Sequence, residues 1–76
     1  MLVFTTRSGT TYEVDTVNKR LRRVPRSAGY PLRLDSDGEW QTYETMSPVE
    51  VGYYVDFMGG EIEELHTTSV TEIKKP

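Results

Sequence analysis

Short runs of strand-forming residues alternate with clusters of turn-forming residues along the whole chain. The runs are rich in Val, Thr, Tyr, Ile and Phe, and Gly, Pro, Asn, Asp or Ser separates them. Branched and aromatic side chains favour strands, whereas the separating residues favour turns. The pattern therefore predicts an all-β protein. The predicted strands are Leu2–Thr6, Thr10–Asp15, Lys19–Val24, Leu32–Leu34, Glu39–Glu44, Tyr53–Met58 and a last stretch from Glu63 to Ile73 that breaks near Ser69.

The segment GGEIEELHT, residues 59–67, has the best helical spacing in the chain, because Ile62 and Leu65 lie three positions apart. Two glycines open the segment, however, and threonines follow it. It therefore predicts a turn that leads into a strand, and a single helical turn is the alternative.

Five to six short strands in a chain of 76 residues are too few for an immunoglobulin-like sandwich, which needs about 100 residues. Closure into a small barrel removes the exposed edges that a flat sheet presents. We therefore expect one domain over residues 1–76, a partly open SH3-like barrel of antiparallel strands with a frayed tail at 74–76. The predicted core consists of Val3, Tyr12, Val14, Leu21, Tyr53, Val55, Phe57, Val70 and Ile73.

Residues 11–24 have the pattern of one β-hairpin. Glu13 and Asp15 alternate with apolar residues on its first strand, and Arg20 and Arg22 flank an apolar residue on its second. We expect these opposite charges to lie opposite or diagonal to each other, where each pair stabilises a sheet by about 0.2–1 kcal/mol.

The hairpin backbone carries two further predictions. Asn18 is the natural left-handed residue of the turn. A bulge at Arg22 and Arg23 is expected, because strict alternation would place Leu21 and Val24 on opposite faces although both are apolar.

Charge is distributed unevenly in a chain whose net charge is −3. Residues 1–38 carry seven basic and four acidic side chains, whereas residues 39–76 carry two basic and eight acidic ones. Folding either cancels this asymmetry or leaves two faces of opposite sign. The overall acidity is unlike that of nucleic-acid-binding modules, which normally carry a basic surplus.

The densest basic stretch is NKRLRRVPR, residues 18–26. It is read as a solvated hairpin face, as a phosphate-contacting patch or as a contact for an acidic protein partner. Arginine and tyrosine are enriched at binding hot spots and glutamate is depleted at interface cores. We therefore favour the basic side of the hairpin, with the loop at 28–31, over the acidic stretch of Glu61, Glu63 and Glu64. The predicted interaction surface consists of Arg20, Arg22, Arg23, Arg26, Tyr30, Arg33 and Trp40.

Candidate catalytic chemistry is sparse. His66 is the only histidine and the chain has no cysteine, so neither a converging metal-ligand set nor a nucleophile–base pair is indicated. Glu63 and Glu64 would face opposite sides of a strand, which makes them poor acid–base partners. The sequence GGE at 59–61 lacks the lysine and the helix of a phosphate loop. We expect no enzymatic activity, no catalytic, metal or cofactor site and no small-molecule substrate.

The aromatic residues mark candidate surfaces. In GYYVDFM, residues 52–58, the alternate positions from Tyr53 to Phe57 share one face, which we expect in the core. The opposite face is predicted to form an exposed aromatic strip. Such strips are found at protein–protein interfaces and where single-stranded nucleic acids stack on a protein. Alternatively, a chain this small does not bury all its rings. The strip would consist of Tyr54, Met58 and either Trp40 or Tyr43.

Five segments, TTRSGTTYEVD, KRLRRVPR, DGEWQTYE, VEVGYYVDF and TTSVTEI, follow one another along the chain. Together they resemble a group of small uncharacterised proteins of actinobacteria and their bacteriophages, which open on TRSGSxYEVD and close on TSPVxEV. This sequence departs from that pattern at Val70, where the group has a proline, and in its longer acidic stretch GGEIEEL. The resemblance covers nearly the whole chain. It implies a cytoplasmic accessory protein of phage or bacterial origin and assigns no catalytic residue.

The first residues lack the basic start and cleavage site of a signal peptide, and no apolar run reaches the roughly 20 residues of a membrane span. We therefore expect a cytoplasmic location, in the host cytoplasm if a phage encodes the chain. The expected function is that of a non-enzymatic protein-interaction module, whose partner is a host protein or a second copy. The alternative is a small-barrel nucleic-acid-binding protein that uses the basic hairpin and exposed aromatics.

Overall fold

A computed structural model describes residues 1–24 and 38–74 of the chain. These residues form short strands and one 3-10 turn, with no α-helix among them, so the all-β prediction is confirmed. Within the same residues, no helix has the length and apolar character needed to cross a membrane. The strands are β1 (Leu2–Thr6), β2 (Thr11–Asp15), β3 (Arg20–Val24), β4 (Gln41–Thr42), β5 (Thr45–Met46), β6 (Asp56–Gly59), β7 (Glu63–His66) and β8 (Val70–Lys74).

The strand bounds agree best with the prediction in the first third of the chain. β1 has the predicted bounds, and β2 and β3 each begin one residue later than predicted. Of the predicted strand Glu39–Glu44 only Gln41–Thr42 is a strand, β4, and β5 follows beyond its predicted end. β6 begins at Asp56 rather than at Tyr53. The predicted strand Leu32–Leu34 lies outside the described residues.

The end of the chain also follows the predicted order. A 3-10 turn at Gly60–Ile62 leads directly into β7, which is the turn-then-strand arrangement expected for residues 59–67. The last stretch breaks near Ser69 into β7 and β8, as predicted. β8 includes Lys74, which was expected in the frayed tail, while residues 75–76 lie outside the described part.

The strands form two antiparallel sheets. One sheet has the order β4-β3-β2-β1-β8 and the other the order β5-β6-β7, and neither closes on itself. The segment at 41–46 passes from the first sheet to the second. At its corner the Tyr43 N–H donates to the Lys19 carbonyl (3.0 Å), whereas the next N–H, of Glu44, donates to the Met58 carbonyl (2.9 Å).

A second corner at Thr67 links β7 to β8. The Thr67 N–H donates to the Val55 carbonyl (3.0 Å), and the Val55 N–H donates to the Thr67 hydroxyl (2.9 Å). Just beyond this corner, the Gly52 N–H donates to the Val70 carbonyl and the Val70 N–H donates to the Tyr53 carbonyl, each at 2.8 Å. These bonds fix the loop that precedes β6 against the start of β8.

The register of the β2–β3 hairpin confirms the predicted charge pairs. Glu13 lies directly opposite Arg22, and Asp15 lies directly opposite Arg20. The register runs without interruption to Thr11 opposite Val24, so the prediction of a bulge is wrong. Val24 is half-buried where it stands, and regular pairing therefore needs no extra residue.

The hairpin turn differs from the prediction in its left-handed residue. Lys19, with a φ of 50°, takes that conformation and Asn18 does not. The Asn18 side-chain amide instead donates to Asp15 Oδ2 at 2.9 Å, and the Asn18 and Val17 N–H groups donate to Asp15 Oδ1. The hydrogen bonds that Asp15 accepts from the turn backbone account for the conformation of Asn18.

One hydrophobic cluster packs between the sheets. Phe57 connects them, because its ring lies 5.3 Å edge-on from Tyr43 and 6.5 Å from Tyr12, which stacks on Phe4 at 5.1 Å. Within residues 1–24 and 38–74 the buried hydrophobic residues are Phe4, Tyr12, Val14, Leu21, Tyr43, Val55, Phe57 and Val70, of which the sequence predicted all but Phe4 and Tyr43.

The predicted core was wrong at two positions. Val3 is only half-buried, because the register sets Phe4 opposite the buried Tyr12 and turns Val3 toward the outer face, opposite Glu13. Tyr53 is exposed, because it precedes β6 and its N–H closes a turn onto the Glu50 carbonyl (3.2 Å). Ile73 is partly buried and packs against the cluster.

Candidate interaction surfaces

Three of the predicted interface residues form one cluster on the outer side of the five-stranded sheet. Arg20 and Arg22 alternate outward on β3, and Trp40 lies beside them just before β4. The guanidinium carbon of Arg20 lies 4.7 Å from the centroid of the Trp40 ring, and that of Arg22 lies 4.8 Å from it. Both distances are within the range of cation–π interactions. We call Arg20, Arg22 and Trp40 the arginine face.

The other predicted interface residues are not part of this cluster. Arg23 lies opposite Tyr12 in the register and alternates toward the same side as Leu21, away from Arg22. Arg26, Tyr30 and Arg33 lie outside the described residues, as does the loop at 28–31.

The cations of the arginine face are matched by acids of the neighbouring strand. Arg20 Nε donates to Asp15 Oδ2 at 3.3 Å, and Arg22 Nε donates to Glu13 Oε1. The bonds that Asn18 donates, with the Arg20 bond, lower the pKa of Asp15 to about 2. Asp15 is therefore ionised across the physiological range, and the charge of the face is largely balanced.

A second surface lies on the loop between β5 and β6. Its base is fixed where the Ser47 N–H donates to the Asp56 carbonyl and the Asp56 N–H donates to the Ser47 hydroxyl, both at 2.9 Å. Between these points Tyr53 and Tyr54 are 64% and 60% exposed, and Val51 is 59% exposed. We call residues 47–54 the tyrosine loop.

Two grooves flank Tyr54 and Asp56, which line both of them. The first groove, of about 250 Å³, lies along the tyrosine loop and is also lined by Ser47, Pro48, Glu50 and Tyr53. The second groove, of about 560 Å³, continues toward Arg7 and His66. The first groove is therefore lined by tyrosines and acidic residues, whereas the second groove also has two basic residues, Arg7 and His66.

His66 lies between two carboxylates. Its Nδ1 faces Asp56 Oδ1 and its Nε2 faces Glu64 Oε1, so the ring donates to both when it is protonated. These two hydrogen bonds, that of Asp56 first, raise the pKa of His66 above its ordinary value. Asp56 lies ten positions from His66 in sequence, and only the pairing of β6 with β7 indicates this contact.

The His66 cluster does not have the geometry of a metal centre. Asp56 and Glu64 bind opposite nitrogens of one ring, so the three groups do not converge on a common point. Among residues 1–24 and 38–74, no group of three His, Asp or Glu side chains is arranged to hold a metal ion.

The acidic stretch that the sequence offered as the other binding face is partly engaged within the protein. The Glu61 carboxylate accepts from the Thr42 N–H (3.1 Å), and the Glu61 N–H donates to the Thr42 hydroxyl (3.0 Å). Glu64 binds His66. Two of its three glutamates thus have local structural partners.

The exposure of the aromatic residues agrees only in part with the predicted strip. Tyr54 is exposed and Met58 is 43% exposed, but Tyr43 is buried at the corner between the sheets. Tyr53, which the sequence placed in the core, is the most exposed of the tyrosines in the described residues. The sequence signal that could have revealed this exposure is the glycine at position 52. In the structure its φ of 95° marks a turn, where strand alternation does not apply.

Comparison of the chain with protein-family models, with curated proteins and with solved structures finds no match.

Proposed function

We propose that the chain is a non-enzymatic protein-interaction module that binds its partner through the tyrosine loop. The observation that carries this proposal is the exposure of Tyr53, Tyr54 and Val51 together on one loop that backbone hydrogen bonds hold at both ends. Aromatic side chains are enriched at protein interfaces, and a loop that is already ordered loses little entropy on binding.

The proposal gains weight from the small size of the chain. A protein of this length buries a limited share of its apolar surface, so each large side chain left in water is a notable loss of stability. Scattered exposed apolar residues are ordinary, but here three lie within four positions of one loop, and two of them, Tyr53 and Tyr54, line the same groove.

We infer that the two sheets belong to one partly open barrel of the SH3-like kind. The support is that two segments, residues 41–46 and 63–74, each contribute a strand to both sheets, and that one core lies between the sheets. Such a scaffold would hold the tyrosine loop in one orientation.

The absence of enzymatic activity is part of the proposal. A histidine that activates a hydroxyl or a water needs one ring nitrogen available to the reacting group. Both nitrogens of His66 face carboxylates instead, which supports a structural or electrostatic role.

Nucleic-acid binding through the arginine face is the less well supported function. Arg20 and Arg22 already pair with Asp15 and Glu13, and both lie against the Trp40 ring on which a base would stack. Phosphate binding would therefore have to compete with these internal contacts.

The cellular setting is proposed from the resemblance. We take the protein to act in the cytoplasm as an accessory factor of a phage or a bacterium, with a host protein as its partner. The charged groups around the tyrosine loop would set partner choice, because electrostatic complementarity contributes more to specificity than to affinity.

Selection of peptides from a random displayed library, followed by affinity measurement of the purified peptides, tests the proposed surface. Tyr54→Ala and Tyr53→Ala should each weaken binding by roughly 5- to 30-fold, as expected for a hot-spot aromatic. Val17→Ala is the matched control, because Val17 is apolar and exposed but lies in the β2–β3 turn. It should leave affinity unchanged.

Two outcomes would contradict the proposal. In the first, no peptide binds, or the tyrosine substitutions leave affinity unchanged while Trp40→Ala abolishes it. In the second, the protein binds single-stranded oligonucleotide with an affinity that falls steeply with log[salt], which is the behaviour of phosphate contacts.

A further inference from the structure

We propose that the first groove binds an arginine side chain of the partner protein. This inference rests on the proposed function, because Tyr53 and Tyr54 of the tyrosine loop form the wall of this groove.

The size of the groove indicates a side chain as its occupant. Its volume of about 250 Å³ lies below the roughly 300–1,000 Å³ of pockets that enclose drug-sized ligands. Pro48, Tyr53 and Tyr54 line it. Such walls suit the aliphatic stem and the flat head of a long side chain.

The charge of the groove selects a cation. The acidic residues Glu50 and Asp56 line it, and no basic residue of the described part of the chain does. Within residues 1–24 and 38–74 the Glu50 carboxylate forms no ion pair. Asp56 uses Oδ1 for His66, which leaves Oδ2 for a second donor. An anionic occupant would meet like charge.

Tyrosine rings beside carboxylates favour arginine over lysine. The planar guanidinium stacks on aromatic rings and donates in a fork to carboxylate oxygens, whereas a lysine ammonium is more strongly hydrated. The arginine face shows the same chemistry within this chain, since Arg22 lies 4.8 Å from the Trp40 ring and pairs with Glu13. The tyrosine loop presents the same two kinds of group to a partner.

The second groove is a weaker candidate for a separate site. Arg7 and His66 line it, which would favour an anion. The carboxylates of Asp56 and Glu64 lie against the His66 ring, however, and an incoming anion would meet them.

Acetyl-arginine methylamide and its uncharged analogue acetyl-citrulline methylamide are the probes for the test. Each is titrated into isotope-labelled protein while the amide resonances are followed by NMR. Arginine should shift the amides of residues 47–56, and citrulline should shift them much less at equal concentration. Glu50→Gln should weaken the arginine effect by about two- to fivefold. Glu72→Gln, which removes an exposed carboxylate on β8, should not.

Three outcomes of the probe titration would overturn this inference, and a dilution series gives a fourth. They are equal effects of the two probes, arginine shifts confined to the outer sheet around Glu13, and full arginine binding by Glu50→Gln. If the amides of residues 47–56 shift with protein concentration alone, the groove binds a second copy of the chain, and the inference is again wrong. In each of these cases selected peptides that depend on Tyr54 would still support the proposed function, so the two failures are distinguishable.

Discussion

At the scale of single residues, the ionisation of a side chain in this protein depends on the charged groups that neighbouring strand positions bring into contact with it. His66 is the clearest case, because Asp56 on β6 and Glu64 on its own strand bind its two nitrogens. Arg7 is the other basic residue that the described part of the chain places in the same groove. The carboxylates prevail, and the pKa of His66 is raised.

The raised pKa predicts a pH-dependent stability. Because the folded pKa lies above the unfolded value of 6.5, the contribution of His66 is fully present below about pH 6.5 and is lost as pH rises through the folded pKa. Urea unfolding at about pH 5.5 and about pH 8.5 should therefore show a loss of stability that His66→Gln removes. NMR titration of the ring should give a pKa above 6.5, reduced by Glu64→Gln but not by Glu72→Gln. A ring pKa at or below 6.5 would contradict the contact with Asp56.

At the scale of strands, the corners are where the chain changes its pairing partner, and side chains supply bonds that the sheets do not. Thr67 is buried at the corner between β7 and β8. Its hydroxyl accepts from the Val55 N–H and donates to the Thr68 carbonyl at 2.8 Å. It thereby joins the last strands to the segment that leads into β6.

Thr67→Val tests this corner, because valine has nearly the shape of threonine but lacks the hydroxyl. It removes the acceptor of the Val55 N–H inside the protein and should lower the free energy of unfolding by about 1–3 kcal/mol. Thr67→Ser keeps the hydroxyl and loses one methyl group, so it should cost about 1 kcal/mol or less. Urea denaturation followed by circular dichroism gives both values. Equal losses for the two variants would show that the methyl group, and not the bond, matters.

At the scale of the whole molecule, the two sheets depend on one small core. Phe57 contacts rings from both sheets, and the eight hydrophobic residues that are buried among the described residues belong to the same cluster. Proteins have about 0.05–0.15 kcal/mol of stability per residue, which for a chain of this length gives about 4–11 kcal/mol. A single large core residue is thus a substantial part of the total.

Phe57→Ala should therefore cost about 3–5 kcal/mol and leave the protein close to unfolded. Tyr53→Ala is the matched aromatic control. Because Tyr53 is exposed, its removal should change stability by less than about 0.5 kcal/mol. Thermal and urea unfolding measure both variants. A large loss for Tyr53→Ala would place that ring in the core, as the sequence pattern had predicted, and would contradict its exposure on the tyrosine loop.

Local patterns in the sequence were enough to predict the all-β class, most strand positions and the β2–β3 hairpin with its charge pairs. These features are local, since alternation and turn formers act over a few residues and a short turn sets the register of two adjacent strands. The sequence also named Arg20, Arg22 and Trp40 as members of one surface. The contact of both arginines with the Trp40 ring was not predicted.

Which side of each strand is buried, and where strands end, depends on contacts between segments distant in sequence. Leu2, Val3 and Phe4 are all apolar, so alternation does not show which of them is buried. The pairing of Phe4 with Tyr12 places Phe4 in the core. Tyr53 continues the alternation of Val55 and Phe57, yet a turn and the bonds to Val70 turn it out to solvent. The contact of His66 with Asp56 and the corner at Tyr43 depend on pairing between segments distant in sequence. Periodicity shows which residues share a face, whereas burial of that face is a property of the folded chain.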